Sequence, residues 1–168
     1  MVIRKIENSD SDLLLNFLKE LVALDPERVD RPEDVNKITK ENEEKWIEQR
    51  LIKEGKKDIF VLCGLNGDGR IVAEGEVERL PRWIERHVAE IRFGVLPKYD
   101  LIAEEIVEKL IKIAKESGIE ILMYFHLETQ KTGINIMKKL GFESAGIVKK
   151  YYKRGEEYID RIYLVKYL

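Results

Sequence analysis

The chain has 168 residues, enough for one domain with a substantial core and too few for two of ordinary size. Its 30 basic and 32 acidic side chains nearly balance, which gives no electrostatic case for nucleic acid as a partner. The single cysteine, Cys63, excludes an internal disulfide.

The sequence also gives no sign of a membrane protein. It has no apolar run near the roughly 20 residues that a membrane-spanning helix needs. The N-terminus lacks the apolar stretch of a signal peptide, so we expect a cytoplasmic protein. Charged residues make up 37% of the chain, and their richness in Lys and Glu is reported for hyperthermophile proteins.

The first third of the chain predicts a short strand and two helices. Residues 2–6 are the strand candidate. A helix is predicted from a cap at Ser9 or Asp10 to about Leu24, because its apolar residues recur at spacings of three and four. A second helix is predicted from about Asn36 to Glu54, with Gly beyond its end.

Three strands are predicted next. Residues 58–64 are nearly all apolar, and the Asn-Gly-Asp-Gly sequence at 66–69 indicates a hairpin turn. Residues 70–79 alternate between two faces, one of which carries several glutamates. After a loop, residues 87–95 form another strand candidate.

The second half alternates helices and strands. A strongly amphipathic helix is predicted at 101–117, an almost continuously apolar strand at 119–127 and a short helix at 131–140. Residues 146–153 and 158–167 predict two final strands. The order β-α-α-β-β-β-α-β-α-β-β describes a single mixed α/β domain over the whole chain.

Four stretches of this chain resemble one known family. Residues 87–97 are similar to its fourth strand and Val-x-Pro turn, and residues 106–118 to the helix that follows. Residues 128–142 match the length of its Glu-Thr-Asn…Lys-Leu-Gly-Phe segment, and residues 158–164 resemble its closing strand. This family is the GNAT superfamily of acetyl-CoA-dependent N-acetyltransferases.

The resemblance implies a fold and an activity. The fold is a central, mostly antiparallel twisted sheet of about seven strands, flanked by about four helices and splayed between strands 4 and 5. The activity is acyl transfer from acetyl-CoA, or another acyl-CoA, to an amine on a small molecule or a protein. The resemblance allows a homodimer, while the charge balance and the lack of a long apolar run leave no nucleic-acid or membrane partner expected.

The resemblance also implies site residues. Glu90 falls where many members carry a carboxylate, so it is the candidate base; its ordinary alternative is an ion pair with Arg92 or a neighbouring strand. Backbone N–H groups at residues 93–95 would serve as donors to the developing oxyanion. The candidate cofactor-binding residues are Phe93, Gly94, Val95, Lys98, Gln130 and Gly133.

The phosphate-binding turn departs from the family pattern. A glycine-rich turn there lets the cofactor's pyrophosphate approach a helix N-terminus. Here residues 98–101 read Lys-Tyr-Asp-Leu, with no glycine and about two residues fewer. Asp100 is the predicted helix cap, with Glu104 and Glu105 in the first turn. Three carboxylates at this position would repel a pyrophosphate.

Two further positions differ from the family. Gln130 replaces an Asn that contacts the cofactor. Met137 stands where many members have the Tyr that protonates the departing CoA thiolate, and it has no proton to give. The sequence leaves two hypotheses open. One is an active N-acyltransferase with an altered cofactor loop; the other is a non-catalytic GNAT-like domain acting in regulation or protein interaction.

Other charged and titratable groups have ordinary alternatives. A row formed by Glu74, Glu76 and Glu78 would attract a cationic amine, or would be a solvated face of the sheet. The two histidines, His87 and His126, are expected near opposite ends of neighbouring parallel strands, and each alone favours a structural role. No metal site is therefore predicted.

Overall fold

The computed structural model describes residues 1–25 and 28–168. In these residues, seven strands form one sheet in the order β1-β2-β3-β4-β5-β7-β6. The strands are β1 (Val2–Lys5), β2 (Ile59–Leu65), β3 (Ile71–Arg79), β4 (Val88–Val95), β5 (Ile121–Leu127), β6 (Glu143–Arg154) and β7 (Glu157–Tyr167). The helices are α1 (Ser11–Leu24), α2 (Pro32–Val35), α3 (Lys40–Gly55), α4 (Asp100–Glu116) and α5 (Lys131–Lys139).

All neighbouring strands are antiparallel except β4 and β5, which are parallel and joined by the crossover helix α4. The expected fold, a mostly antiparallel sheet of seven strands, is confirmed. The described residues hold one helix more than the expected four, because α2 forms a separate short turn. None of the helices described is long and apolar enough to cross a bilayer.

The start of α3 corrects the sequence prediction. The expected helix from Asn36 begins only at Lys40, because a capping box fixes the boundary there. The Thr39 hydroxyl accepts from the Asn42 backbone N–H at 3.3 Å, and the Asn42 side chain accepts from the Thr39 N–H at 3.0 Å.

The predicted cap of α1 also has a different role. Asp10 makes no cap hydrogen bond to α1. Its buried carboxylate instead accepts two hydrogen bonds from Arg4, both at 2.7 Å, and one from the Glu7 N–H at 2.8 Å. These bonds hold β1 against the beginning of the helix and lower the pKa of Asp10.

Helices cover both faces of the sheet. α4 packs on one face, where Gly64 and Gly75 leave room for its apolar stripe. α3 covers the opposite face of β3, because Arg50 and Lys53 reach the glutamates that alternate with Gly75. The core therefore lies in two layers, one between each helical layer and the sheet.

A substitution at Gly75 tests how closely α4 packs against the sheet. A Cβ at this position would lie 2.8 Å from Ile106 Cγ2 and 3.0 Å from Leu110 Cδ1. We expect Gly75→Ala to lower the free energy of unfolding by about 1–3 kcal/mol through overpacking. Gly55→Ala is the matched control, since its Cβ would meet nothing within 4 Å. Urea denaturation measures both; equal effects would contradict this packing.

Candidate active site

The central feature of the candidate site is the divergence of β4 and β5. Their ladder contains three residue pairs, which are Val88↔Ile121, Ala89↔Leu122 and Glu90↔Met123. Beyond Glu90 the two strands separate, so residues 93–95 and 124–127 lie on either side of a gap. We call this gap the split. The splay expected between strands 4 and 5 is confirmed.

Backbone N–H groups of β4 point into the split. The Leu96 N–H donates to Val72 O at 2.9 Å, which makes this pair a hydrogen-bonded position of the β3–β4 ladder. Such positions alternate along an antiparallel pair. The Gly94 N–H therefore points towards β3, while those of Phe93 and Val95 point towards the split. Of the three predicted backbone donors, two face the gap.

A cavity of about 450 Å³ extends along the split. It brings together all the residues predicted to bind the cofactor: Phe93, Gly94, Val95, Lys98, Gln130 and Gly133. Their role in cofactor binding stays a prediction. The cavity is also lined by residues that the sequence did not single out for this role, among them Arg28, His126, Thr129 and Lys131.

Glu90 lies apart from this cavity. It is the last residue of β4 that pairs with β5, and it lines a different cavity with Lys53, Glu78 and Arg86. At roughly 3.3 Å per residue, it is about 13 Å along the strand from Gly94. Glu90 as the base stays a prediction.

Arg92 does not supply the ion pair expected as the alternative role of Glu90. It binds Glu76 at 2.9 Å and Glu78 at 2.8 Å instead. These two glutamates also bind Arg50 and Lys53 of α3, at 3.3 Å and 2.6 Å. The glutamate row is therefore covered by a helix, and its interpretation as a solvated face is wrong.

The predicted phosphate turn, which contains no glycine, is closed at Lys98. The Tyr99 N–H donates to Leu96 O at 3.2 Å, with Pro97 and Lys98 between them. Lys98 has φ +76°, the left-handed conformation that the third residue of a type II turn requires. This conformation costs a non-glycine residue about 1–2 kcal/mol of conformational energy. Lys98 is therefore a strained residue, and it lines the cavity.

The charge at the start of α4 corrects the sequence prediction. α4 begins at Asp100, which is the only acidic residue of its first turn. Glu104 and Glu105 are its fifth and sixth residues, and Glu104 binds Lys139 of α5 at 2.6 Å. Asp100 itself makes no side-chain cap hydrogen bond. The expected cluster of three carboxylates at the helix end is wrong, and less negative charge faces the turn.

α5 approaches β5 closely at Gly133. A Cβ at this position would lie 2.6 Å from Tyr124 Oη and 3.3 Å from His126 Nε2. Gln130, just before α5, donates from its side chain to Asp25 Oδ2 at 3.1 Å. The absence of a side chain at 133 therefore lets two polar groups of β5 lie beneath the start of α5.

Three rings form one wall of the split. Phe93 stacks on Tyr124 with ring centroids 5.8 Å apart, and Tyr124 lies 5.3 Å from His126. Burial, reinforced by the charge of Arg28, lowers the pKa of His126 to about 4. Burial raises the pKa of Tyr124, which the Arg28 charge opposes. At neutral pH both side chains are therefore uncharged.

Several buried polar atoms around the split have no hydrogen-bond partner in the described part of the chain. They are Arg28 Nε, Tyr124 Oη, His126 Nδ1 and Thr129 Oγ1. Buried polar groups in proteins are nearly always hydrogen-bonded, so a concentration of unpaired ones indicates a place for a ligand or water. The sequence analysis did not identify Tyr124 as a candidate, because this residue lies within an almost continuously apolar strand.

The two histidines are well separated. His87 precedes β4, where its carbonyl accepts from the N–H groups of Glu120 and Ile121, and His126 lies near the end of β5. The structure thus places them at opposite ends of the parallel pair. Across residues 1–25 and 28–168, no group of three or more His, Cys, Asp or Glu side chains could hold a metal ion.

Comparison with known proteins identifies the family. Residues 3–163 match the sequence model of the acetyltransferase (GNAT) domain, so the chain belongs to this family. No sequence among the curated proteins matches it.

Solved structures share the fold at low sequence identity. A GNAT-family acetyltransferase from Streptococcus pneumoniae superimposes with a TM-score of 0.88 and 19% identity, over 99% of both chains. A ribosomal-protein-alanine N-acetyltransferase from Brucella melitensis gives 0.83 and 21% over the whole of both chains. The putative acetyltransferase yncA from Salmonella typhimurium, solved with its cofactor acetyl-CoA, gives 0.82 and 14%, over 99% and 92%.

The buried imidazole predicts a pH-dependent stability. A histidine in the unfolded chain has a pKa near 6.5, whereas that of folded His126 is about 4. Below pH 6.5 the unfolded state takes up a proton that the folded state does not, so stability falls as the pH falls. Between pH 6.5 and 4 this loss amounts to at most about 3 kcal/mol.

We expect His126→Gln to remove this part of the loss, leaving a shallower dependence of the unfolding free energy on pH. Urea denaturation at pH 7, 5.5 and 4.5 measures it. His87→Gln is the control, because His87 is exposed. Equal pH slopes for His126→Gln and the wild-type protein would contradict the burial of a neutral imidazole.

Proposed function

We propose that the protein transfers an acetyl group, or another acyl group, from acyl-CoA to an amine, with the donor bound in the β4–β5 split. The observation that carries this proposal is the cavity along the split, into which two backbone N–H groups of β4 point. All six candidate cofactor-binding residues line this cavity, and the chain belongs to the acetyltransferase (GNAT) family. The yncA neighbour, solved with acetyl-CoA, supports the donor.

The residues around the split fit the parts of acetyl-CoA. The N–H groups of Phe93 and Val95 can donate to the amide carbonyls of its pantetheine arm, as an added strand would accept them. Gly133 leaves room beside the arm. The pyrophosphate would lie at the start of α4, where the macrodipole is positive. Lys98 and Lys131 add positive charge along this cavity.

The same residues can assist acyl transfer. Bound acetyl-CoA supplies a thioester that is activated towards attack by an amine. Backbone N–H groups in the split would stabilise the negative charge that develops on its carbonyl oxygen. Such fixed donors in a site with little water are usually the largest contribution to catalysis of this kind.

The acceptor amine can reach the split through a second cavity. A second cavity, of about 140 Å³, is lined by Arg28, Tyr152 and residues of β5. It shares Phe93 and His126 with the first cavity, so the donor and the acceptor can meet between the strands. The amine must arrive unprotonated or lose its proton there. Neutral His126 lies at the meeting point and can accept a hydrogen bond from the amine, although its pKa of about 4 makes it a weak base.

Binding is tested by thermal unfolding with acetyl-CoA, CoA and a matched nucleotide that lacks the pantetheine arm. A ligand at about 100 times its Kd adds roughly 2.7 kcal/mol to stability, which raises Tm by a few degrees in a domain of this size. Transfer is then tested by CoA release with a panel of small amines and peptide N-termini. If neither acetyl-CoA nor CoA raises Tm, the proposal is wrong and a non-catalytic role is favoured.

A substitution at Lys98 distinguishes an effect on cofactor binding from an effect on folding stability. We expect Lys98→Gly to weaken acetyl-CoA binding roughly three- to tenfold, because a cation beside the phosphates is lost, at about 0.7–1.4 kcal/mol. The unfolding free energy should not fall, since glycine adopts the positive φ without strain. Calorimetric titration and urea denaturation measure the two effects.

Lys57→Gly is the matched control for this prediction. Lys57 also has a positive φ, 58°, but it follows α3 and does not line the cavity. It should gain the same backbone relief and leave binding unchanged. Equal affinities for Lys98→Gly and the wild-type protein would show that the phosphates do not bind at this turn.

A further inference from the structure

Acyl transfer to an amine leaves a thiolate on CoA that needs a proton. Met137 occupies the position where the family resemblance leads one to expect a tyrosine for this task. Its side chain is fully buried, with 0% exposed, and packs in the core as the sequence predicts. A thioether has no proton to donate. A proton donor must therefore come from elsewhere in the split.

Tyr124 places a hydroxyl beside the same helical face. Gly133 and Met137 are four residues apart and so lie on one face of α5. The Tyr124 hydroxyl meets that face at Gly133, 2.6 Å from where a Cβ would stand. It therefore lies one helical turn nearer the start of α5 than residue 137. Gly133 lines the 450 Å³ cavity, and Tyr124 lines the adjoining 140 Å³ cavity.

The Tyr124 hydroxyl has a fixed position but makes no hydrogen bond within the described part of the protein. The side chain is 2% exposed, and its ring is fixed by stacking on Phe93. Its Oη has no hydrogen-bond partner among the residues that the structure describes. An unpaired buried hydroxyl destabilises the fold, which favours a partner that arrives with the ligand.

We propose that Tyr124 is the general acid that protonates the departing thiolate of CoA. This assignment rests on the proposed acyl transfer. The amine nitrogen forms a bond to the acyl carbon, the carbon–sulfur bond breaks, and its electron pair goes to sulfur. The phenol O–H proton then passes to sulfur and gives CoA thiol. The proton that the nitrogen loses on becoming an amide returns through solvent to the phenolate.

The charges around Tyr124 act in two directions. Burial raises the pKa of the phenol, which keeps it protonated before the reaction but opposes loss of its proton. The guanidinium of Arg28 lies near enough to lower the pKa of Tyr124, so it stabilises the phenolate that protonation of the thiolate leaves behind. His126, the nearest titratable ring, is neutral and adds no opposing charge.

Tyr124→Phe tests the assignment, because it removes only the hydroxyl and keeps the stacked ring. We expect kcat for acyl transfer to fall about 100-fold, as for loss of a general acid. The Kd of acetyl-CoA should stay within about twofold, and the Tm of the free protein should be unchanged or higher. The control is Tyr163→Phe on β7, which lines neither cavity of the split and should keep the wild-type rate.

A second measurement does not depend on turnover. The ultraviolet absorbance of the thiolate gives the pKa of CoA bound to each protein. A phenol that donates a hydrogen bond to the thiolate lowers this pKa. We therefore expect the thiol of CoA bound to Tyr124→Phe to titrate about one pH unit higher than in the wild-type complex.

The outcomes separate the two proposals. If the wild-type protein transfers acyl groups but Tyr124→Phe keeps its rate and the thiol pKa, Tyr124 is not the acid and the proposed function stands. If the wild-type protein neither binds CoA nor releases it from acetyl-CoA, the proposed function is overturned, and the role of Tyr124 with it. A loss of Tm in Tyr124→Phe would indicate a structural role for the hydroxyl.

Discussion

The short β4–β5 ladder is the constraint on which the candidate site depends. Each of these strands is held along its other side by an antiparallel neighbour, with seven residue pairs to β3 for β4 and seven to β7 for β5. Three pairs join them to each other, at one end. Backbone N–H and C=O groups beyond that end must find partners other than a strand. The fold therefore keeps open a site whose donors are parts of the rigid sheet.

The helices that flank the split are connected by charge. Glu104 of α4 binds Lys139 of α5 at 2.6 Å. An exposed ion pair of this kind adds little stability, but it joins the two helices that begin on either side of the cavity. The same contact pairs the carboxylate of Glu104, the fifth residue of α4, with a positive charge. Lys98, directly after the Val-x-Pro sequence, then takes the strained position of a turn that has no glycine.

The sequence predicts the order of the elements, and the family resemblance predicts the splay. Both miss contacts that particular side chains make. Thr39 and Asn42 fix the start of α3 through a local capping box, which the sparse apolar spacing of this stretch does not reveal. Asp10 has the residue type of a helix cap, yet Arg4 of β1 binds its carboxylate. The glutamates of β3 alternate as an exposed face would, but α3 brings Arg50 across them. For Asp10 and for the glutamates of β3 the deciding partner lies outside the predicted element, whereas for α3 a local pair of side chains decides.

Tyr124 shows that sequence patterns also fail to identify a residue of the candidate site. A strand buried on both faces gives no periodicity to distinguish a functional residue from core, and the nearness of its hydroxyl to Gly133 exists only in the fold. Its place on β5 also has a physical consequence. Seven pairs with β7 fix that strand, whereas α5 is a helix of nine residues. A proton donor on the strand keeps a defined position, and position 137 is left for an apolar side chain that packs α5 against the core.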